Sequence, residues 1–116
     1  MAHYMLLIYG EESAWANLTP DQLSAEMGAY MAYTQDLAKA NVLVAGDELH
    51  PVATAKTISV SGGKQKVVDG PFAETKETLG GYYLLNVESI EDALAWAAKC
   101  PGARYGRIEV RPVVMR

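Results

Sequence analysis

The side chains best suited to chemistry are concentrated in one short stretch, Asp69-Gly-Pro-Phe-Ala-Glu-Thr-Lys-Glu77. Four ionisable residues occur within these nine positions: Asp69, Glu74, Lys76 and Glu77. Asp-Gly-Pro favours a rigid turn, because Asp can hydrogen-bond its own backbone and Pro restricts the residue before it. If residues 72–76 form a helical turn, Glu74 and Glu77 share one face. Paired carboxylates beside a lysine can perform acid–base catalysis.

Two interpretations of this stretch are open from the residues alone. In the first, Asp69 or Glu74 is a general acid or base, and Lys76 orients a substrate anion. In the second, the stretch is architectural: Asp69 and Glu77 hold a turn and Phe72 docks on a partner subunit. Surface clusters of charge more often have no catalytic role.

Candidate ligand-binding residues also lie outside this stretch. His50 follows Asp47-Glu48 and could be a general base, or simply a histidine in an exposed loop. Tyr82, like Tyr30, Tyr33 and Tyr83, could line a ligand site, although packing in the core or on a sheet face is the commoner use of tyrosine. Arg111 and Arg107 alternate with Glu109, which is the spacing of a salt-bridge ladder and could also form an anion site.

Several classes of function lack their sequence signals. Two distant histidines and a single cysteine offer no zinc-ligand spacing, and the paired glycines lack a phosphate-loop context, so we expect neither a metal nor an organic cofactor. A net charge of −4 without a basic stripe argues against nucleic-acid binding. No apolar run approaches the length of a membrane span. The lone Cys100 suits a reducing compartment, so we expect a cytoplasmic protein.

The first half of the chain predicts a strand, a helix and a strand. Residues 4–9 are apolar and rich in strand formers. Thr19, Pro20 and Gln22 form a capping box that starts a helix ending near Ala40, with Asn41 as its left-handed terminator. The predicted core stripe of this helix is Leu23, Met27, Tyr30/Met31, Thr34 and Leu37/Ala38, with Gly28 allowing close packing on the sheet. Residues 42–45 form the next strand.

The second half repeats this plan after a hairpin. Residues 53–60 and 65–68 are predicted to pair through a turn at 61–64. A strand over 79–87, a helix capped by Ser89 and a strand over 106–114 follow. The order predicts one domain over 1–116, an α+β ferredoxin-like split βαβ sandwich with an inserted β-hairpin. Both helices cover one sheet face only, so we expect a homodimer, packed sheet to sheet or through strand exchange.

The nine-residue stretch resembles the signature of the DGPF-domain proteins, which are part of the YCII-related family. Three further stretches fit the same pattern: Val44-Ala-Gly-Asp-Glu-Leu-His-Pro51, Leu79-Gly-Gly-Tyr-Tyr83 and Ile108-Glu-Val-Arg-Pro112. The match spans nearly the whole chain. This resemblance implies a ferredoxin-like fold of the dimeric α+β barrel type.

The resemblance implies little about chemistry, since most family members are uncharacterised. An enzymatic role has been proposed in the YCII branch from a His–Asp pair with the His early in the first helix, whereas this chain has no His between Thr19 and Ala40. Some relatives occur beside or fused to extracytoplasmic-function sigma factors, which implies a regulatory or ligand-sensing role. The signature positions that carry over are Asp69, Gly70, Pro71, Phe72, Glu74, Lys76 and Glu77, with Tyr82 and Arg111 in addition.

Overall fold

A computed structural model describes residues 1–116 as two βαβ halves around one antiparallel sheet. The sheet contains strands β1 (Ala2–Gly10), β2 (Leu43–Glu48), β5 (Thr78–Val87) and β6 (Arg107–Pro112), in the order β2-β5-β1-β6. The helices are α1 (Glu12–Ala16), α2 (Pro20–Lys39) and α3 (Ile90–Lys99). Strands β3 (Lys56–Ser61) and β4 (Lys64–Asp69) form a separate hairpin. The predicted ferredoxin-like fold with an inserted hairpin is therefore confirmed.

The capping signals in the sequence are confirmed at both long helices. Thr19 accepts a hydrogen bond from the Gln22 N–H, and the Gln22 side chain accepts one from the Thr19 N–H. Ser89 accepts a hydrogen bond from the Asp92 N–H in the same way. Asn41 follows α2 with a φ of 59°, the left-handed conformation that ends a helix. No helix is long and apolar enough to cross a membrane.

The core lies between the helices and one face of the sheet. Leu6 of β1 pairs with Tyr83 of β5, and both are buried under the helices. The buried residues of the apolar core are Leu6, Tyr33, Leu37, Tyr83, Leu85, Val87, Ala93, Ala97 and Cys100. Residues alternate along these strands, so the positions between them project to the opposite side. We call that side the open face.

The open face carries a mixed set of side chains and no helix. Its centre is apolar, where Met5 pairs with Leu84, and Leu7 lies beside Tyr82. These side chains are only partly buried. Strand β6 adds charged residues to the same face, because Glu109 pairs with Leu7 and Arg111 with Met5.

The stripe predicted for α2 is partly wrong. Tyr33 and Leu37 are buried, but Met27 and Met31 are 56% and 65% exposed. The helix is rotated so that the tyrosine side reaches the sheet, because the Tyr33 hydroxyl donates a 2.7 Å hydrogen bond to the Trp96 carbonyl of α3. Gly28 consequently points away from the sheet, and a Cβ there would meet nothing within 4 Å. Close packing therefore does not explain this glycine.

Strands β3 and β4 form a projecting hairpin, which we call the arm (residues 56–69). Its turn uses Gly62 and Gly63 with φ of 56° and 78°, as a tight hairpin turn requires. Apart from each other, the two strands pack on no other helix or strand to an appreciable extent. Five of the six residues of β3 and all six of β4 are exposed. The arm leaves the sheet at the end where β1 and β2 finish and β5 begins.

Candidate functional site

A cleft of about 510 Å³ lies at the end of the sheet from which the arm projects, and it is lined by Tyr9, Glu77, Arg107, Ile108 and Glu109. Tyr9 and Arg107 are cross-strand partners on β1 and β6. Glu77 immediately precedes β5, and its Oε1 lies 3.4 Å from Nε of Arg107. The cleft thus combines a phenol, two carboxylates and a guanidinium group, which can bind a small polar molecule through both donors and acceptors.

Gly106 brings β6 against the end of β1 and so positions Arg107. A side chain at Gly106 would collide with the backbone carbonyl of Tyr9 and would lie 3.2 Å from Cα of Gly10. Only glycine permits this close approach between the two backbones. Arg107 therefore begins its strand directly beside Tyr9.

Asp69 and Gly70 close the base of the arm. Oδ1 of Asp69 lies 2.6 Å from Nζ of Lys56, and both side chains are largely exposed. The predicted hydrogen bond from a backbone N–H to the Asp69 carboxylate is replaced by this ion pair. Gly70 has a φ of 99°, and its N–H donates a 2.7 Å hydrogen bond to the Ala55 carbonyl. The Gly70 carbonyl in turn accepts a 2.8 Å hydrogen bond from the Thr57 hydroxyl.

The remainder of the stretch runs in bends, without the helical turn considered for residues 72–76. Phe72 is 92% exposed. Lys76 pairs with Glu11 at 3.5 Å, whereas Glu77 pairs with Arg107. Glu74 is exposed and makes no ion pair. Of the charged residues in the stretch, Glu77 is the one that lines the cleft.

The other predicted ligand residues are spread over the open face and its rim. The Tyr82 hydroxyl donates a 2.6 Å hydrogen bond to Oδ2 of Asp47, which raises the pKa of the Tyr82 phenol. Nε of Arg111 lies 2.6 Å from Oε2 of Glu109, so this half of the predicted ladder is present. His50 lies in the exposed loop after β2. Neither Tyr82, Arg111 nor His50 lines the cleft.

Tyr9 was missed by sequence reasoning, whereas Arg107 and Glu109 were recognised as members of a salt-bridge ladder or an anion site. The available signal was strand alternation: Arg107 and Glu109 share a face of β6, and Tyr9 ends a strand. What the alternation could not show is that these two strands are neighbours with Tyr9 opposite Arg107.

The buried tyrosines form a packing cluster on the helix side. Tyr33 and Tyr83 meet edge to face with ring centroids 5.4 Å apart. The hydroxyls of Thr34 and Tyr83 are hydrogen-bonded at 2.7 Å. Burial raises the pKa of Tyr30, Tyr33 and Tyr83. These groups stay neutral and hold α2 on the sheet, and the described residues include no cluster of His, Cys, Asp or Glu suited to a metal ion.

Comparisons with known proteins identify relatives of the whole chain. The model of the YCII-related domain matches residues 2–115. An uncharacterised protein of Rhizobium meliloti (strain 1021) is 34% identical over 117 residues, which cover 97% of this chain and 92% of that protein. Among solved structures, 5-chloro-2-hydroxyhydroquinone dehydrochlorinase from Burkholderia phenoliruptrix AC1100, in complex with 2,5-dihydroxybenzoquinone, aligns with a TM-score of 0.55. That alignment covers 97% of this chain and 93% of the enzyme at 11% identity, a likeness of fold.

Proposed function

The chain belongs to the YCII-related family, and on that basis we propose that it is a homodimeric module that binds a small polar molecule in the cleft beside Arg107. The observation that carries this proposal is the cleft itself. It is a depression open to solvent, it contains groups of both charges, and Glu77 at the end of the 69–77 stretch forms part of its wall. Concave sites with a few convergent polar groups are the usual locations for small ligands.

The ligand that suits this cleft has an acidic or carbonyl oxygen and at least one hydrogen-bond donor. Arg107 can bind an oxygen anion with its guanidinium group, since only its Nε faces Glu77. Glu109 and the Tyr9 phenol can accept from a ligand hydroxyl or amine. Two carboxylates beside one guanidinium disfavour a ligand with several negative charges.

The homodimer is supported by the uncovered sheet. The helices shield one face, while Met5, Leu7 and Leu84 on the open face stay partly exposed. A second copy that covered these side chains would remove apolar surface from water on both partners. Association with a sigma factor stays a prediction from family resemblance.

The alternative is a cofactor-independent enzyme that uses the carboxylates of the 69–77 stretch. One observation favours it: the dehydrochlorinase with the same fold is an enzyme. In this reading Asp69 or Glu74 transfers a proton and Lys76 holds a substrate anion. Asp69, Glu74 and Lys76 are exposed and none of them lines the cleft, so they do not converge on one site. The geometry therefore favours the binding module.

A ligand screen with three proteins tests both readings. Wild type, Arg107→Gln and Lys39→Gln are screened by thermal shift against a library of small carboxylic acids, phenols and keto acids. Lys39, in the last turn of α2, is the control for loss of one positive charge from the helix side. We expect hits that stabilise wild type and Lys39→Gln but bind Arg107→Gln at least tenfold more weakly by calorimetry. Hits that bind Arg107→Gln as tightly as wild type would show that the ligand binds elsewhere.

The enzyme reading has its own test. The same hits are incubated with wild type and with the double variant Asp69→Asn/Glu74→Gln, and consumption is followed by mass spectrometry. Turnover by wild type that is lost in the double variant would replace the binding module with the enzyme. Equal turnover in both proteins would exclude these carboxylates from the chemistry.

A further inference from the structure

The arm leaves its apolar side uncovered. Ile58, Val60 and Val67 lie on one side of the hairpin, because Ile58 pairs with Val67 across the strands and Val60 is two residues from Ile58. They are 58%, 62% and 56% exposed. A two-stranded hairpin without a packing partner is marginally stable at best. The arm therefore needs a surface that its own chain does not supply.

The amount of uncovered surface matches a large interface. The chain exposes 8186 Å², whereas a compact monomer of 12.6 kDa exposes roughly 6,200 Å². The radius of gyration is 16.1 Å, against about 13 Å for a compact chain of this length. The excess of roughly 2,000 Å² per chain falls within the range buried by each partner in obligate homodimers, which bury about 2,000–5,000 Å² in total.

The charge of the arm is opposite to that of the rest of the chain. The arm contains Lys56, Lys64, Lys66 and Asp69, a formal charge of +2, while the whole chain has −4, so the remainder has −6. Lys64 and Lys66, near the tip, project from the side of the hairpin opposite Ile58 and Val60, so they act on a partner through long-range attraction and do not enter the apolar contact. A second copy of this chain presents acidic residues next to its open face, including Asp47 and Glu48 on the edge strand β2. The arm is thus attracted to another copy of its own chain.

The dimensions of the arm also suit the open face. Six strand residues span about 20 Å. Four strands spaced about 4.8 Å apart make a sheet of similar width. The apolar centre of that face, formed by Met5, Leu7 and Leu84, is a patch that three aliphatic side chains can cover.

We propose that the arm of each copy lies across the open face of a second copy, with Ile58, Val60 and Val67 packed on Met5, Leu7 and Leu84. This inference rests on the proposed homodimer and names the element that forms it. Residues 69–77 connect the arm to the cleft. At the start of this segment Asp69 pairs with Lys56 at the base of the arm, and at its end Glu77 pairs with Arg107 in the cleft. The partner thereby steadies the segment that shapes the cleft, so ligand affinity depends on dimerisation.

Disulfide trapping between copies tests the proposal. Val60→Cys and Leu7→Cys chains are co-expressed with different affinity tags, purified through both tags and oxidised with a mild disulfide catalyst. We expect most of the mixed dimer to become crosslinked. The native Cys100 is 1% exposed and stays unreacted. If the Leu7 variant fails to fold, Ile58→Cys with Met5→Cys is the second pair.

Two control pairs identify the contacting surfaces. Val68 lies on the other side of the arm, so Val68→Cys with Leu7→Cys should crosslink at least tenfold less. Val60→Cys with Met31→Cys, on the exposed side of α2, should do the same. Equal crosslinking in the controls, or none in both arm–face pairs of a dimer confirmed by light scattering, would overturn the arm placement and leave the dimer standing. Failure to recover any mixed dimer, with light scattering at the monomer mass, would overturn both.

Discussion

Replacing Val60 by Thr changes one methyl group of the arm to a hydroxyl and keeps the shape of the side chain. Thr is a good strand former, so the hairpin itself should be little affected. Val60 is 62% exposed in the single chain, and complete burial of a valine contributes at least about 1.5 kcal/mol. Covering the exposed part therefore contributes about 1 kcal/mol for each arm, and about 2 kcal/mol for a dimer with two arms.

Val60→Thr keeps one of the two methyl groups, but burial of its hydroxyl without a partner adds a cost at least as large as the contact retained. We therefore expect a loss of about 2 kcal/mol, which weakens the dimer roughly 30-fold. Sedimentation equilibrium of wild type and Val60→Thr over a range of protein concentrations measures this change directly. The matched control is Val68→Thr, the same substitution on the opposite side of the arm, where the side chain is 49% exposed. We expect its dissociation constant to stay within threefold of wild type.

Equal dissociation constants for the two variants would refute the reasoning, whatever their absolute value. Equality with wild type would mean that neither side of the arm is covered. Equal weakening would mean that the arm contributes through its backbone or its stability and not through one apolar side. Circular dichroism at a concentration where both proteins are monomeric checks that the fold is unchanged.

Three further predictions concern stability. Gly28→Ala should raise the free energy of unfolding by about 1 kcal/mol and the melting temperature by about 4 °C, because the position is helical, exposed and open to a Cβ. Gly46→Ala is the contrasting substitution and should lower both quantities, because a Cβ there would lie 2.6 Å from the Tyr83 ring. Tyr33→Phe should cost about 1–3 kcal/mol in chemical denaturation, because it leaves the Trp96 carbonyl, near the end of α3, without its hydrogen bond. Burial raises the pKa of Tyr33 above its ordinary 10.0 and that of the Cys100 thiol above 9.0, so both groups bind their protons more tightly when folded. Stability should be constant with respect to these groups below about pH 9 and fall above it, and a melting temperature that rose between pH 9 and 11 would contradict this.

Features that depend on neighbouring residues were predictable from the sequence. The caps at Thr19 and Ser89, the left-handed Asn41 and the Gly62-Gly63 turn all form within a few positions of the chain. The backbone groups that these residues contact lie within the same few positions, so these features form independently of the tertiary structure. Together with the order of strands and helices, they sufficed for the ferredoxin-like fold.

The rotation of α2 was not predictable in the same way. Its sequence offers two adjacent stripes, one with Met27 and Met31 and one with Tyr30, Tyr33 and Leu37. Periodicity alone cannot choose between stripes one residue apart. The choice depends on what α3 and the sheet present, and the Tyr33 hydroxyl finds its acceptor on Trp96, 63 positions away.

In the stretch from Asp69 to Glu77, some properties follow from the sequence and others from the tertiary structure. Its density of charge, its Asp-Gly-Pro turn and its place between a hairpin and a strand are properties of the sequence. Only the tertiary structure decided that Asp69 pairs with Lys56, Lys76 with Glu11 and Glu77 with Arg107, because these partners come from three separate parts of the chain. Such pairs depend on the strand order and on a register in which a shift of one residue would turn Arg107 to the other face.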